Sequence, residues 1–509
     1  MITLCPPAVG APPSNAQDPV LYAASDPERP GVHRGTVTSS SPSSISQLRE
    51  FYTTRGQDHV FGFWGQLAQD GRDRLATQAK GIAGRLDAIL SARARAVAEL
   101  DRRDPLLLEP CEVIRAHGQR SDRAAIETAR ARGEVLLSQG RIAVFVVAGG
   151  QGTRLGFPGP KGAFPVGPVS RRSLFELQAQ KIRALSRRAG CPIPWVVMTS
   201  DATDTATGEL FESAKQFGVP RRDVRIFRQE TVPAFDFEGR LLLEAPDRIA
   251  ESPDGHGGSI TALACSGVLD ELEARGVDTL FYYQVDNPLV RMADPVYLGL
   301  HADAGAEMSC KVVRKRDPEE KVGVVARVAG RPMVVEYTEL DDAHRDARDE
   351  RGELVYAAGN VAIHLLDTAF VRRIAARADE LLPFHASPKK ILSIDGDGRT
   401  IEPCRPNGHK LERFVFDALP HADGVCVVEV DAGEEFAPIK NAQGTDSPET
   451  ARSALTAQYR SWLRRAGVEV PSHVQQIEID HSRIDGPADL RALDLHGVDE
   501  AGDLIRVNS

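Results

Sequence analysis

The sequence predicts an α/β protein whose central element is a doubly wound, mixed β-sheet. Between residues 141 and 314, short β-branched and aromatic runs alternate with amphipathic helical segments, the order of a parallel sheet covered on both faces. After residue 290 the sequence becomes richer in strand-like runs, which predicts additional strands that border one side of a binding site.

Residues 1–45 predict a disordered tail, and residues 46–140 predict a helical N-terminal region. The tail is rich in Pro, Ser, Gly and Ala and ends in TVTSSSPSSIS, so it offers too little apolar surface to order itself. Beyond it, QLREFY, HVFGFWGQL and GRLDAILSARARAVAEL place apolar residues at three-and-four spacing among charges. That spacing is the period of an amphipathic helix.

Residues 141–430 predict the main α/β domain, and residues 431–509 a small α+β C-terminal domain. Helical segments such as SLFELQAQKIRALSRRA lie between the strands, and VGVVARV, PMVVEYTEL and LVYAAGNVAIHLL predict the additional strands. The predicted strands of the alternating part are Arg141–Ala148, Trp195–Ser200, Val224–Gln229, Thr279–Val285 and Met308–Arg314.

Composition restricts the class of protein. The content of 42% hydrophobic and 26% charged residues is that of a soluble globular protein, and a net charge of −10 argues against a nucleic-acid or membrane-surface binder. The N-terminus lacks the basic and apolar segments of a signal peptide, and no run approaches ~18 consecutive apolar residues. The 7 cysteines are scattered without a C-x-x-C pair. We therefore expect a cytoplasmic protein.

The stretch VVAGGQGTRLGFPGPKG, residues 146–162, predicts a phosphate-binding loop behind the first strand of the sheet. Its glycines read G-x-G-x-x-x-G rather than the G-x-G-x-x-G of nicotinamide-binding loops, and Glu176, near the distance of their acidic partner, lies in a predicted helix. Lys161 follows Pro160 and precedes Gly162, so the loop is not a Walker P-loop either. Backbone N–H groups of such a loop can approach a polyphosphate and a flat base closely.

The loop and many later segments resemble the UDP-sugar pyrophosphorylases, specifically the eukaryotic-type UDP-N-acetylhexosamine pyrophosphorylases. AGGQGTRLG with PKG, PWVVMTS, SPDGHGG, YYQVDNPLVRMADP, VVEYTEL, AAGNVAIH, RPNGHKLERFVFD and FAPIKNA occur in the family's order, across roughly residues 50–460. The resemblance implies a Rossmann-like nucleotidyltransferase fold of the GT-A type. It also implies an enzyme in which a sugar 1-phosphate attacks the α-phosphate of UTP, giving UDP-sugar and pyrophosphate.

The resemblance implies a Mg²⁺ cofactor held by Asp286, which ends an apolar strand. An in-line displacement of this kind needs positioning and neutralisation of negative charge more than a covalent nucleophile. Mg²⁺ favours one or two carboxylates together with phosphate oxygens and water. Four cations match phosphate-contacting positions of the family: Arg154, Lys161, Lys410 and Lys440.

The same resemblance implies which residues contact the nucleotide and the sugar. Gln229 corresponds to the glutamine that reads uracil, because an amide can both donate and accept. The nucleotide-lining positions are Ala148, Gly149, Gly150, Gly152 and Gly255. The sugar-binding positions are His256, Gly323, Glu336 and Asn360.

Two departures leave the sugar open. His256 stands where the hexosamine enzymes carry asparagine, as in the G-H-G of UDP-glucose pyrophosphorylases, and Ala357 departs from the usual N-A-G-N. The loop, VGVV and VEYTE are hexosamine-like. We favour N-acetylglucosamine 1-phosphate, with N-acetylgalactosamine 1-phosphate or glucose 1-phosphate as alternatives, and a catalytically silent UDP-sugar-binding regulator as a different class. No proton must leave an ionised phosphate, so we expect His256 to bind rather than act as a general base.

Overall fold

In the computed structural model, the described residues are 44–100, 107–118, 122–482, 484–492, 498–501 and 504–507. Their largest element is an 11-stranded sheet. The predicted tail, residues 1–45, lies outside this part of the chain except for its last two residues, which begin the first helix. In chain order the strands of the sheet are β1 Leu108–Pro110, β2 Ile114–Arg115, β3 Ile142–Val147, β4 Trp195–Thr199, β5 Val224–Arg228, β6 Thr279–Gln284, β7 Met308–Arg314, β8 Val324–Val328, β9 Arg331–Val335, β10 Ala358–Asp367 and β11 Val425–Glu429.

The sheet is mixed, as the sequence predicts. Its main path runs β2-β11-β7-β10-β6-β3-β4-β5. Strands β6, β3, β4 and β5 are parallel neighbours, with Val144 opposite both Phe281 and Trp195, whereas β10 runs antiparallel to β6 and β7. Off the main path, β8 pairs with β1, β9 and β10. Parallel neighbours place their carboxyl ends at one edge, so the residues that follow β3, β4, β5 and β6 gather there.

Helices cover both faces of the sheet. Alternate residues of β3 enter different cores: Val144 and Val146 pack on one face, and Ala143 and Phe145 on the other. Helix α5 begins with a capping box between Ser173 and Glu176, so Glu176 is the helical residue that the sequence predicts. The helices are α1 Ile45–Thr53, α2 Gln69–Ala83, α3 Leu86–Leu100, α4 Arg123–Ser138, α5 Leu174–Ala189, α6 Asp204–Ser213, α7 Gly258–Cys265, α8 Val268–Ala274, α9 Pro295–Asp303, α10 Asp342–Asp346, α11 Thr368–Ala376, α12 Ala378–Leu381, α13 Ala432–Glu435, α14 Pro448–Arg465 and α15 Pro487–Ala492.

The N-terminal region is helical but not exclusively so. Helices α1 to α3 share a core with Val232, Phe235 and Leu411. The region 46–140 also contains β1 and β2, which the sequence does not predict, and α4 packs its buried Ala129 and Leu137 into the core of the main sheet. Both strands are two or three residues long and largely exposed, so they lack an apolar alternation. The division at residue 140 remains a prediction.

Short elements complete the chain. A three-stranded sheet joins His385–Lys389, Gly408–Glu412 and Phe235–Asp236. A second one, of Gln476–Ile479, Leu504–Val507 and Val498–Ala501, packs with α14 in the C-terminal region. The remaining strands are Thr231–Pro233, Leu243–Ala245, Arg248–Ile249, Glu251–Pro253, Ser393–Ile394 and Thr400–Ile401, and the 3₁₀ turns are Asp58–Phe61, Thr153–Leu155, Lys161–Ala163, Lys215–Gly218, Arg221–Asp223 and Val415–His421. Across the described residues, no helix combines the length and apolar character needed to cross a membrane.

Candidate active site

A cleft of about 4270 Å³ opens beside the carboxyl edge of the sheet, with α2 and α3 on its other side. Five predicted site residues lie within three residues of the end of a parallel strand: Ala148, Gly149 and Gly150 after β3, Gln229 after β5, and Asp286 after β6. The predicted site residues that line the cleft are Arg154, Gln229, Glu336 and Lys440. The site therefore lies where an open α/β sheet binds ligands.

The glycine loop is held against the neighbouring strand by its backbone. Ala148 is fully buried, and its N–H donates to the carbonyl of Met198 at 2.8 Å. The Ser200 hydroxyl donates to the Gly149 carbonyl at 2.7 Å. A Cβ atom on Gly149 would lie 3.0 Å from Gln229 Oε1, so a side chain here would press against the amide of Gln229.

The loop turns back so that Lys161 returns to its beginning. The Gly152 N–H donates to the Gly159 carbonyl at 2.8 Å, and the Lys161 N–H donates to the Gly150 carbonyl at 2.9 Å. Arg154, in the turn Thr153–Leu155, is exposed on the cleft wall. The two cations predicted for this loop thus stand on either side of the same turn.

Lys161 and Asp286 meet at the base of the loop. Lys161 Nζ donates to Asp286 Oδ2 at 3.2 Å, and both side chains are mostly buried, with exposed fractions of 19% and 12%. The Ile439 N–H donates to the Asp286 carbonyl at 3.0 Å, which ties this position to the segment leading to Lys440. This pair joins the predicted metal carboxylate to the predicted phosphate loop.

Asp286 suits a cation that takes most of its ligands from phosphate and water. In the described part of the chain, no group of three or more His, Cys, Asp or Glu side chains could by itself hold a metal ion. A single carboxylate beside the glycine loop, for which phosphate binding is predicted, fits Mg²⁺, which keeps waters and binds through one or two carboxylates plus substrate phosphates. The donor set does not fit a structural zinc site.

Asp254 orients the amide of Gln229, and the sequence-based prediction did not include it. Gln229 Nε2 donates to Asp254 Oδ1 at 3.3 Å, which turns Oε1 of Gln229 towards Gly149. Asp254 is buried, and burial raises the pKa of its carboxyl to about 7, although the charge of Arg413 opposes that shift. The amide oxygen of Gln229 is therefore the group presented beside the glycine loop.

The raised pKa of Asp254 predicts a pH-dependent contribution to stability. The folded chain holds this proton up to about pH 7, whereas an unfolded chain releases it near pH 4. The folded state therefore binds more protons between these values, and the stability from this group is lost as pH rises from about 4 through 7. The loss is at most about 4 kcal/mol, at 1.36 kcal/mol per pKa unit.

The substitution Asp254→Asn, which cannot lose the proton, tests this linkage. Its melting temperature minus that of the unsubstituted protein should become more positive from pH 5 to pH 8. The variant Asp303→Asn, at the exposed end of α9, should show a constant difference. A difference for Asp254→Asn that does not change with pH would contradict the raised pKa.

Gly255 and His256 form a tight junction with the segment that follows Glu412. Gly255 has φ +86°, and a Cβ atom there would overlap the Arg413 carbonyl, so this position requires glycine. His256 Nδ1 accepts from the Val415 N–H at 3.1 Å, and its ring stacks on Phe414 with 5.3 Å between centroids. Burial lowers the pKa of His256 to about 4. The imidazole is therefore neutral at pH 7, with its proton on Nε2.

Three predicted sugar-binding residues converge at β9 and β10. The Asn360 N–H donates to the Gly323 carbonyl at 2.8 Å, and Glu336 Oε1 lies 3.2 Å from where a Cβ atom of Gly323 would stand. Asn360 Oδ1 accepts from the Ala362 N–H at 3.2 Å. Burial, with the nearby charge of Glu339, raises the pKa of Glu336. His256 is not among the cleft-lining side chains of the described residues, whereas Glu336 is.

The two later lysines occupy different surroundings. Lys440 lines the cleft, its N–H donates to the Asp446 carbonyl at 2.7 Å, and its charge acts on Glu336. Lys410 lies on the strand Gly408–Glu412, opposite Ser387, and is not among the described cleft-lining residues. It stands two residues before Glu412, which does line the cleft, so both side chains leave the same face of the strand.

Sequence reasoning missed the residues that support these contacts. Ser200 fixes Gly149, Asp254 fixes Gln229, and the Arg413 N–H donates to the Asp254 carbonyl at 2.8 Å. The position of Ser200 at a strand end and that of Asp254 in SPDGHGG were available signals. No sequence signal pointed to Arg413, because its partner Asp254 lies over 150 residues earlier in the chain.

Comparison with known proteins identifies the family. The sequence model described as UTP–glucose-1-phosphate uridylyltransferase matches residues 95–496, most of the chain. The chain belongs to this family. It is therefore a nucleotidyltransferase that transfers a uridylyl group from UTP to a sugar 1-phosphate, and the predicted resemblance is confirmed.

Individual relatives agree with this assignment. The human UDP-N-acetylhexosamine pyrophosphorylase-like protein 1 is 40% identical over 83% of this chain and 86% of its own length. The UDP-N-acetylglucosamine diphosphorylase 2 of Arabidopsis thaliana is 36% identical over 86% of this chain and 88% of its own. A crystal structure of the uridine diphosphate N-acetylglucosamine pyrophosphorylase from Trypanosoma brucei, in complex with an inhibitor, superimposes with a TM-score of 0.78 at 27% identity and covers 93% of this chain and 99% of that one. The predicted nucleotidyltransferase fold is confirmed.

Proposed function

We propose that this uridylyltransferase acts on an N-acetylhexosamine 1-phosphate, with N-acetylglucosamine 1-phosphate as the preferred acceptor. The products are the UDP-sugar and pyrophosphate. The names of relatives that are 36% and 40% identical over most of the chain carry this proposal. Glucose 1-phosphate is the alternative, because the family description names it and His256 has the glucose-type identity.

The nucleotide is held by the glycine loop and by Gln229. With Nε2 of Gln229 engaged by Asp254, Oε1 accepts the N3–H of uracil, a donor that the corresponding ring nitrogen of cytosine lacks. Ala148, Gly149, Gly150, Gly152 and Gly255 supply a wall without bulky side chains, so base and phosphates approach the backbone. Arg154 and Lys161 hold the triphosphate, because charge-assisted hydrogen bonds to phosphate are the stronger kind.

Asp286 holds Mg²⁺ in this proposal. When bound, the cation neutralises charge on the α-phosphate and on the departing pyrophosphate. The contact of Lys161 with Asp286 at 3.2 Å supports this role, because it brings the carboxylate and a phosphate-binding cation to one point. Lys161 then orients Asp286 while the triphosphate takes up the remaining donors of the lysine.

The sugar is recognised at Gly323, Glu336 and Asn360. Glu336 can accept hydrogen bonds from two hydroxyl groups, and Asn360 keeps its amide nitrogen available because its Oδ1 is engaged by the backbone of Ala362. A free N–H donor at this place suits the carbonyl of an N-acetyl group. His256, whose Nε2 carries the proton, supports the neighbouring wall and donates to the sugar or its phosphate.

Charge placement provides the catalysis in this proposal. The attacking phosphate oxygen is already ionised, so no residue has to remove a proton. Lys410 and Lys440 neutralise charge that moves from the acceptor phosphate to the leaving pyrophosphate, since a compact ammonium on a flexible stem can follow it. The neutral state of His256 at pH 7 agrees with a binding role.

Release of pyrophosphate from UTP tests the proposed acceptor and distinguishes an enzyme from a silent sensor. We expect release that depends on N-acetylglucosamine 1-phosphate and on Mg²⁺. The variant Glu336→Gln should raise the KM for the sugar phosphate by about tenfold, because one charged acceptor contributes roughly 1.5 kcal/mol. Tight UDP-sugar binding without any pyrophosphate release would contradict the proposal and favour the regulator.

We place the enzyme in the cytoplasm. The support is that the cysteines at positions 111, 191, 310, 404 and 426 are free thiols. Free thiols are typical of a reducing compartment.

A further inference from the structure

A second cleft, of about 620 Å³, lies on the C-terminal region between α14, the segment 165–173 and the strand Gln476–Ile479. Four arginines line it: Arg171, Arg452, Arg460 and Arg464. Glu449 is the one carboxylate among its described lining residues. The cleft shares no lining residue with the active-site cleft. A concentration of positive charge here stands out, because the chain as a whole carries a net charge of −10.

Three of these arginines form one stripe of α14. Arg452, Arg460 and Arg464 are separated by multiples of four residues, which places them on the same helix face. Like charges four residues apart on a helix destabilise it. None of the three is joined to a carboxylate by a salt bridge within the described part of the chain, whereas the adjacent Arg465 pairs with Glu434 at 3.3 Å. Among the described residues the stripe therefore has no salt-bridged counterion, although the charge of Glu449, three residues before Arg452, acts on that arginine.

The local environments of Arg452 and Arg171 indicate that the cleft is a binding site for an anion. Arg452 Nη2 donates to the Pro165 carbonyl at 2.9 Å, while its Nε is buried and has no hydrogen-bond partner. Burial, with the like charge of Arg171, lowers the pKa of Arg452. Arg171 itself has φ +59°, a left-handed conformation that is uncommon for a residue other than glycine. An arginine in a left-handed conformation, beside a guanidinium whose buried Nε donor is unused, points to an anion between the two.

We propose that this cleft binds the phosphate groups of a small molecule, at a site separate from the active site. Planar guanidinium groups bind phosphate oxygens in pairs, and four of them on two sides of one cavity, α14 and the segment 165–173, suit a di- or triphosphate. The cleft volume is that of a small-molecule site rather than of an extended polymer surface. The site also contacts the chain that leaves the glycine loop, because Pro165 follows Lys161 by only four residues. The inference does not depend on which sugar the enzyme uses.

Hydrogen–deuterium exchange of the full chain, read by mass spectrometry, tests the proposal. The probe is inorganic tripolyphosphate, and the segments read are 165–173 and 448–465, with 146–162 reporting active-site binding. At about ten times the dissociation constant, we expect exchange through local opening to slow roughly tenfold in both segments. The double substitution R460Q/R464Q should abolish this protection and leave that of 146–162 unchanged.

The control R345Q/R348Q removes the same charge at two arginines that line neither cleft and should behave like the unsubstituted protein. If R460Q/R464Q melts early, Arg171→Gln serves instead. Parallel titrations with ATP and with a sugar monophosphate distinguish which chemical groups the cleft recognises. Equal protection by tripolyphosphate and ATP would show that phosphate groups alone are bound. Stronger protection by ATP would show that the cleft binds a nucleotide. Absence of protection with all three probes, or protection that survives both R460Q/R464Q and Arg171→Gln, would overturn the proposal.

Discussion

Replacing Asp286 with asparagine is expected to lower kcat by about 10³-fold or more while leaving the fold intact. Asp286 follows β6 by two residues, at the carboxyl edge of the sheet, and Lys161 is its hydrogen-bonding partner at 3.2 Å. Asparagine keeps the size and one oxygen but removes the charge on which binding of a divalent cation depends. The measurement is pyrophosphate release from UTP and N-acetylglucosamine 1-phosphate as Mg²⁺ is titrated.

The matched control for this prediction is Asp303→Asn, which removes an exposed carboxylate at the end of α9. It should retain full turnover. An unchanged melting temperature for Asp286→Asn would show that the loss is not one of folding. Full activity of Asp286→Asn with an unaltered Mg²⁺ dependence would remove Asp286 from the metal site.

The second large effect is expected for Lys161→Gln. This substitution keeps a polar side chain, one atom shorter, but removes the cation that stands between the glycine loop and Asp286. A charge contact made to the phosphates in the transition state contributes about 10² to 10³ in rate, so kcat should fall by that factor. The KM for UTP should rise as well, because Lys161 also contacts the triphosphate of the bound nucleotide in our account.

Lys80→Gln is the control for Lys161→Gln, since Lys80 is exposed on α2 and lines no part of the cleft. Lys80→Gln should leave both kcat and the KM for UTP unchanged. A Lys161→Gln enzyme with normal kcat and a higher KM alone would show that Lys161 binds UTP without acting on the transition state.

Much of the fold could be predicted because its sheet follows local rules. Buried parallel strands are short apolar runs bounded by turn residues, and the predicted Met308–Arg314 has the observed bounds of β7. The predicted Arg141–Ala148 exceeds β3 by one residue at each end. The loop after β3 could be recognised because its glycines and cations are consecutive in the chain. The strands β1 and β2 were missed, since pairing with β8 and β11 rather than their own pattern makes them strands.

The candidate site was predictable as a set of residues but not as a set of contacts. The pair of Lys161 and Asp286 spans 125 positions, and no local pattern encodes such a distance. Asp254 was missed because its effect passes through Gln229 rather than through a ligand. His256 was expected at the sugar. In the structure its Nδ1 accepts a hydrogen bond from the Val415 N–H, and its ring stacks on Phe414. Its role towards the sugar stays a prediction.

Competition among sugar 1-phosphates tests whether this enzyme prefers N-acetylglucosamine 1-phosphate as its acceptor. Limiting UTP is mixed with equal concentrations of the 1-phosphates of N-acetylglucosamine, N-acetylgalactosamine, glucose and galactose, and the UDP-sugars formed are quantified by mass spectrometry. Product ratios then equal the ratios of kcat/KM. We predict UDP-N-acetylglucosamine as the main product. The N-acetylated products together should exceed UDP-glucose by at least about tenfold, as expected when one hydrogen bond to the N-acetyl group is worth roughly 1.4 kcal/mol. UDP-glucose as the main product would contradict it.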